Sequence, residues 1–329
     1  MTITDHCAFA AVREPRRLAW ALLSRAARGP SKSVWRLIDR LGVEDAASVL
    51  STGTATDGVD PGVLARANPD RAAADLVVHY ASGGRLITPD DADWPTAHLA
   101  ALHTPEWGPE HFVGPLALWV SGTAGLPEIA EDAVAVAGTP RPSAYGIEVT
   151  TAIVAEVTAR GMAIAATGGP GIPAHALTTA HLIPAPTMAV LSCGTDLAYR
   201  HHNHHLRAPR PGTCVLVSEY PPGTPTRPQR VGAAHRLLAA LTRASVLVEA
   251  DRQCWSEASI TWAQRLGRNT YAVPGPITSP TSRSGNYLIA DQDLTPVASP
   301  RDIYLVGGLL PAEPFPEDSD LDRPNGEPA

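Results

Sequence analysis

The middle of this 329-residue chain repeats one pattern: a short apolar run, a turn, then a helical stretch. The runs are Ala133–Ala137, Met162–Ala166, Thr187–Ser192, Cys214–Val217, Ser245–Val248 and Thr270–Val273, each ending near glycine, proline or an acid. Ile147–Arg160, Ala174–His181, Gly232–Arg243 and Ser256–Leu266 carry helical spacing between them, and a shorter connection holds His201 to Leu206. A strand that is apolar at every position, rather than at alternate ones, must be covered on both faces. Alternating helices provide that cover, because each crossover lays a helix on the sheet. The expectation is an α/β fold with a doubly wound, mostly parallel sheet. Arg85–Thr88 and Leu116–Val120 are further strand candidates ahead of it.

Residues 14 to 82 read as helix. Leu18 to Leu23 and Val34 to Ile38 put apolar side chains at helical spacing, Ser31 or Ser33 can cap a start, and Gly42 can end one. The chain therefore divides, on sequence, into a small helical N-terminal domain over 1–82, a sheet domain over 83–308 and a tail over 309–329. The segment 310–329 holds five prolines and six acids, too little apolar surface to offset chain entropy, and is predicted to be disordered. No apolar run approaches the roughly 20 residues that a bilayer crossing needs. The first residues lack the charged, apolar and small-residue order of an export signal. Cys7, Cys193, Cys214 and Cys254 are scattered without a CxxC pair, which argues against a disulfide framework or a zinc ribbon. A cytoplasmic protein with no membrane partner is expected.

A formal net charge of −7 excludes a protein that coats nucleic acid with its whole surface. Between Tyr199 and Arg243, however, seven arginines stand against one acid, Glu219. Such asymmetry is compatible with one anion-binding face on an acidic body. Lys32 is the only lysine, so arginine also does the ordinary work of keeping the surface soluble. Both readings stay open.

In a doubly wound sheet, ligands sit at the carboxyl ends of the strands, where turns lead into helix starts. Two such turns carry glycine. Gly138-Thr139-Pro140-Arg141-Pro142-Ser143-Ala144-Tyr145-Gly146 follows the first core run, and Thr167-Gly168-Gly169-Pro170-Gly171-Ile172-Pro173 follows the second. Glycine permits close backbone approach and the N–H groups of a helix start favour an anion, so the pair reads as a phosphate cradle. Tight strand-to-helix turns also need glycine for their own geometry, which is the competing explanation. Gly169 to Ala174 matches the GxGxxA dinucleotide fingerprint, with Asp196 where a ribose-binding acid would fall, but the fingerprint belongs after the first strand. His201, His202, His204 and His205 offer metal-ligand spacing without a carboxylate or cysteine to complete a site, and a polar surface turn accounts for them. No nucleophile elbow, HExxH, P-loop or paired carboxylates are found. Neither a metal, a cofactor nor a catalytic group is expected.

The strings GRLITPDDADWP (84–95), AVAVAGTPRPSAYG (133–146), TMAVLSCGTDLAYRHHNHHL (187–206), VSEYPPGTPTRP (217–228), HRLLAAL (235–241), VLVEA (246–250), LGRNTYAVPGPIT (266–278) and SGNYLIAD (284–291) carry a resemblance. In order and spacing, from about Leu86 to Ile303, the chain resembles the DNA-processing protein A family (DprA, also called Smf). The resemblance implies an extended Rossmann domain that binds single-stranded DNA, protects it and helps load RecA. Such proteins act in natural transformation and recombination, as homodimers, without a catalytic step. The DNA-binding candidates are Gly138, Thr139, Arg141, Tyr145, Gly146, Thr167, Gly168, Gly169 and Gly171 in the two turns. Arg227, Arg230, Arg236 and Trp255 join them from later loops. Tyr145 and Trp255 are stacking candidates, each worth about 1–3 kcal/mol per base where exposed, with packing as the competing role. Glu219 and Glu249 follow strands and are expected to orient loops.

The chain also departs from the family pattern. Pro140 stands where an arginine usually follows the first turn's Gly-Thr or Gly-Ser, with Arg141 one step later. The second turn lacks the family's serine, arginine and aspartate. The family's Arg-Asn-Arg triplet is Ala234-His235-Arg236 here, and its Arg-Ser-Gly is Gln253-Cys254-Trp255. The winged-helix domain at the end of many members is expected to be absent, with the acidic tail in its place. Each lost phosphate contact lowers the salt slope of single-strand binding by about 0.7. Two alternatives follow from these losses: a pocket for a free nucleotide or NAD-like ligand, or a decayed paralogue with protein partners alone.

Overall fold

The structure, a computed structural model, describes residues 14–54, 58–102, 113–183, 185–198, 213–251, 254–292 and 294–304. Its first helices are α1 Pro15–Ala27, α2 Lys32–Leu41, α3 Val43–Thr52, α4 Pro61–Arg66 and α5 Pro69–Ala81. Two short ones follow, α6 Thr96–Leu99 and α7 Leu126–Glu131. The crossover helices are α8 Ala144–Ala159, α9 Ile172–Leu182, α10 Pro228–Ala240, α11 Trp255–Arg265 and α12 Arg283–Asp291.

The apolar runs are strands: β1 Gly84–Ile87, β2 Leu118–Ser121, β3 Ala133–Ala137, β4 Ala163–Thr167, β5 Thr187–Leu191, β6 Cys214–Ser218, β7 Ala244–Leu247, β8 Asn269–Ala272 and β9 Thr295–Pro296. They form one sheet in the order β1-β2-β6-β5-β4-β3-β7-β8-β9. From β6 to β9 every neighbouring pair is parallel, while β1 and β2 extend the β6 edge antiparallel. Chain order runs outward from β3 through β4 and β5 to β6, then returns to place β7 on the other side of β3. That reversal is the topological switch point of a doubly wound sheet. The α/β architecture read from the sequence is the one observed.

The apolar runs have their two-sided character because alternate residues enter different cores. Val134 and Val136 pack with Ile153, Val154 and Val157 of α8 and Ala176 and Ala180 of α9. Ala133 and Ala135 face the other way, toward Leu237 and Leu238 of α10 and Trp262 of α11. Each large side chain so buried stabilises by roughly 1.5–3 kcal/mol. β9 is exposed and two residues long, which leaves no periodicity for a sequence reading to find.

The helical segment starts as its caps predict. Val34 N–H donates to Ser31 Oγ at the start of α2, and Gly42, at φ 83°, ends that helix. Trp20, Leu23, Leu37, Leu50 and Leu76 form a core that takes in Leu86, Leu116 and Trp119 from the β1–β2 side of the sheet. Trp119 Nε1 donates to Ser24 Oγ at 3.0 Å, and the His79 ring stands edge-on to Trp119 with centroids 5.2 Å apart. Among the described residues, no helix is long and apolar enough to cross a membrane, and no three histidine, cysteine or acidic groups gather as metal ligands. The histidine run 201–205 and the tail 309–329 lie outside the described residues.

Candidate functional site

β3 and β4 are parallel neighbours, so their carboxyl-end turns share one edge of the sheet. The turns touch. Ile172 N–H donates to the Thr139 carbonyl at 3.1 Å. Gly171 has φ +77°, and a Cβ there would overlap the Thr139 carbonyl oxygen and the Pro140 backbone. Gly138 is buried, and an added Cβ would come within 2.7 Å of the Ile172 side chain. These two glycines are required by the approach of one turn to the other. Gly171→Ala is therefore expected to destabilise the fold by about 2 kcal/mol or more, through left-handed strain and backbone overlap, read as a lower melting temperature.

The start of α8 is built around an internal anion. Ser143 caps it, accepting from Gly146 N–H, and the Ser143 amide and hydroxyl donate to Glu249 Oε2 and Oε1 at 2.9 and 2.7 Å. Thr281 Oγ1 donates to the same carboxylate at 2.9 Å, and Thr139 N–H to the Glu249 carbonyl at 2.6 Å. Gly146 is buried, and a Cβ there would overlap the carboxylate. Glu249 thus reaches from the end of β7 across the switch point and fixes the first turn, favoured there by the positive end of the helix dipole. Gly138 and Gly146 are packing glycines, and the cradle read from the sequence is narrower than expected. The amides of Ala144, Tyr145, Gly169 and Gly171 have no acceptor among the described residues. Beside them Arg141 is exposed and pairs with no described carboxylate. Thr167 is buried and Gly168 N–H donates to the Val190 carbonyl, so these two support the second turn from below.

Both aromatic candidates border this edge. Tyr145 is 40% exposed, with its hydroxyl donating to the Pro274 carbonyl at 2.8 Å. Burial and the nearby Glu249 charge raise its phenol above the usual range, so it stays a neutral ring. Trp255 opens α11 at 45% exposed and lies against Gly232, which has no side chain in the way. The next residue anchors α11 to the first turn, Ser256 Oγ donating to the Gly138 carbonyl at 2.6 Å.

The arginines divide. Arg227 is exposed at the start of α10. Arg230 is 9% exposed, donates to the Pro225 carbonyl and lies 5.3 Å from the centre of the Tyr220 ring. Arg236 does not reach the edge at all. It is 1% exposed, paired with Glu219 at 2.5 Å, and donates to the Val113 carbonyl. Its assignment as a phosphate contact is corrected: α10 turns its side chain into the protein, where a strand's phosphates cannot follow. Asp196, placed as a ribose acid, instead accepts from Gly223 N–H at 3.0 Å and ties the β5 and β6 loops together. Sequence reasoning missed the capping role of Ser143 within the first turn, and also Thr281 and Ser256, which brace the turns from separate elements and carry no motif.

A doubly wound sheet whose glycine turns meet beside a strand-order reversal places the chain among Rossmann-like proteins that seat ligands at strand ends. Residues 85–306 match the family described as DNA recombination-mediator protein A, and the chain belongs to it. It is 37% identical over 278 residues to the DNA processing protein DprA of Mycobacterium tuberculosis, covering 84% of this chain and 71% of that one. Similarity to DprA of Bacillus subtilis is 23% over 209 residues, 64% of this chain and 70% of the relative. The X-ray structure of DNA processing protein A from Streptococcus pneumoniae shares the fold, with a TM-score of 0.65 at 19% identity over 92% of this chain and 96% of that one. The corresponding figures for DNA processing protein A from Helicobacter pylori, whose structure concerns its single-stranded DNA binding mode, are 0.56, 20%, 67% and 93%.

Proposed function

We propose that this chain binds single-stranded DNA along the strand-end edge of its sheet and, as a cytoplasmic homodimer, protects the strand and helps load RecA. One observation carries the reading: the β3 and β4 turns abut, leaving four unpartnered amides beside the exposed Arg141. Amides and a guanidinium together suit phosphate oxygens, and two solvent-facing rings nearby suit bases. Family membership and the binding mode described for the Helicobacter pylori protein support the same ligand. Residues 83–308 would carry this edge, with 1–82 flanking it, and no catalytic step is invoked.

Filter binding of labelled oligothymidylate against salt tests it. The wild-type chain should bind with a negative salt slope. Arg141→Gln should weaken binding alike for all sequences and reduce the slope by about 0.7. An unchanged slope and affinity in that variant would remove Arg141 and the turn edge from the interface. A mononucleotide that raised the melting temperature, with no strand bound, would favour a small-ligand pocket instead.

A further inference from the structure

Two more arginines, Arg28 and Arg66, join Arg230 where the end of α1 approaches the loop after β6. The buried Tyr220 ring is touched by Gly29, where an added Cβ would stand 3.3 Å from the ring, and by the Arg230 guanidinium. Arg66 Nε donates to the Ala26 carbonyl at 2.8 Å, bringing the end of α4 to the same place. Arg28 follows α1 in left-handed backbone, φ 54° and ψ 52°, the only non-glycine residue with positive φ among the described residues. Its Nε is buried without a hydrogen-bond partner. Burial first, then the fields of Arg230, Arg66, Arg25 and Arg227, hold the Arg28 guanidinium below its ordinary proton affinity.

Of these five cations, Arg25 has a carboxylate, Asp75. Arg28, Arg66, Arg227 and Arg230 form no ion pair with a described residue. Like charges gathered at a half-buried place repel, and an arriving anion relieves that cost. The cluster is also continuous with the turn edge. Ser192 Oγ lies 3.2 Å from Thr226 Oγ1, and Gly194 N–H donates to the Thr224 carbonyl at 2.9 Å, so the β5 and β6 loops form one ledge. From β3 to β6 is three strand spacings, about 14 Å. No single phosphate spans that distance, whereas successive phosphates of one strand do.

We infer that Arg28 and Arg66, backed by the buried Arg230, form a second phosphate seat through which the N-terminal helices hold the strand engaged by the turns. This seat rests on the single-strand reading above. It adds the helices of the first 82 residues to the binding surface and sets the strand's course, along the sheet edge from β3 toward β6 and off it onto α1 and α4.

The test uses the full chain carrying Arg28→Gly and Arg66→Gln, with a short oligothymidylate that fills the turns alone and a long one that reaches both seats. Glycine is at ease in left-handed backbone, so Arg28→Gly by itself should keep or raise the melting temperature. The double variant should bind the long strand about tenfold more weakly per guanidinium lost, with a salt slope shallower by about 0.7 for each. Short-strand binding should not change. A wild-type chain that binds neither strand overturns the single-strand reading. Wild-type binding of both, with no loss in the variant on the long strand, overturns the second seat alone. Equal loss on both strands also overturns it, because the cluster would then act on the turns.

Discussion

Arg236→Ala should lower stability by about 3–5 kcal/mol, because it strands the Glu219 carboxylate in the interior without its counter-ion. For a chain of this size that is a fall in melting temperature of roughly 4–7 °C. Burial already pushes the Glu219 carboxyl above its usual range against the pull of Arg236, and Glu219 Oε2 has no hydrogen-bond partner. The pair is therefore costly to break and cheap to replace. Glu219→Leu combined with Arg236→Met should recover most of the loss, as apolar substitutes for buried ion pairs do. Thermal melts of the two variants check this. Oligothymidylate affinity per folded molecule should be unchanged in both. An Arg236→Ala chain that melted normally but lost salt-dependent binding would return Arg236 to the interface.

Acid should unfold the chain through two buried histidines. Burial pushes His79 and His235 down to about 4 from the ordinary 6.5. His79 is held between Gly84 and Trp119 with Nε2 against the Arg85 carbonyl, and His235 meets Ser259 Oγ. Both are neutral in the fold. Below about pH 6.5 the unfolded chain takes up two protons that the folded chain refuses until about pH 4. The contribution is complete above 6.5 and is lost as pH falls toward 4. At pH 5 the two sites together remove on the order of 4 kcal/mol. Melting temperatures measured from pH 7 to 5 should fall steeply, and His79→Gln or His235→Gln should each flatten the acid limb, the buried His98, also held below its usual range by burial, adding to it in the same direction. An acid limb of unchanged steepness in both variants would place the effect on other groups.

The architecture was legible because the physics that builds it leaves a signature in composition. A strand such as Ala133–Ala137 has no polar side, which only two-sided cover explains, and Ser31 and Gly42 stand where α2 starts and stops. The turns were legible as glycine clusters, though not the reasons for each glycine. Gly171 answers to a backbone overlap and Gly146 to a carboxylate arriving from β7, and both depend on which elements become neighbours. Arg236 was misread for the same cause. An arginine looks alike in sequence whether its helix turns it outward or inward, and only the packing of α10 over β4 and β5 decides. The Arg28–Arg66–Arg230 cluster joins segments separated by most of the chain, and no local pattern marks it.

The strand order also bears on how the polypeptide is made. β4, β5 and β6 line up on one side of β3 as they leave the ribosome, but the place beside β3 on the other side is kept for β7, Ala244–Leu247. Until that stretch is synthesised, the nascent sheet carries an open edge whose five residues are all apolar, the type of surface that seeds aggregation and that chaperones cover. The yield of native protein thus turns on how soon translation delivers residues 244–247.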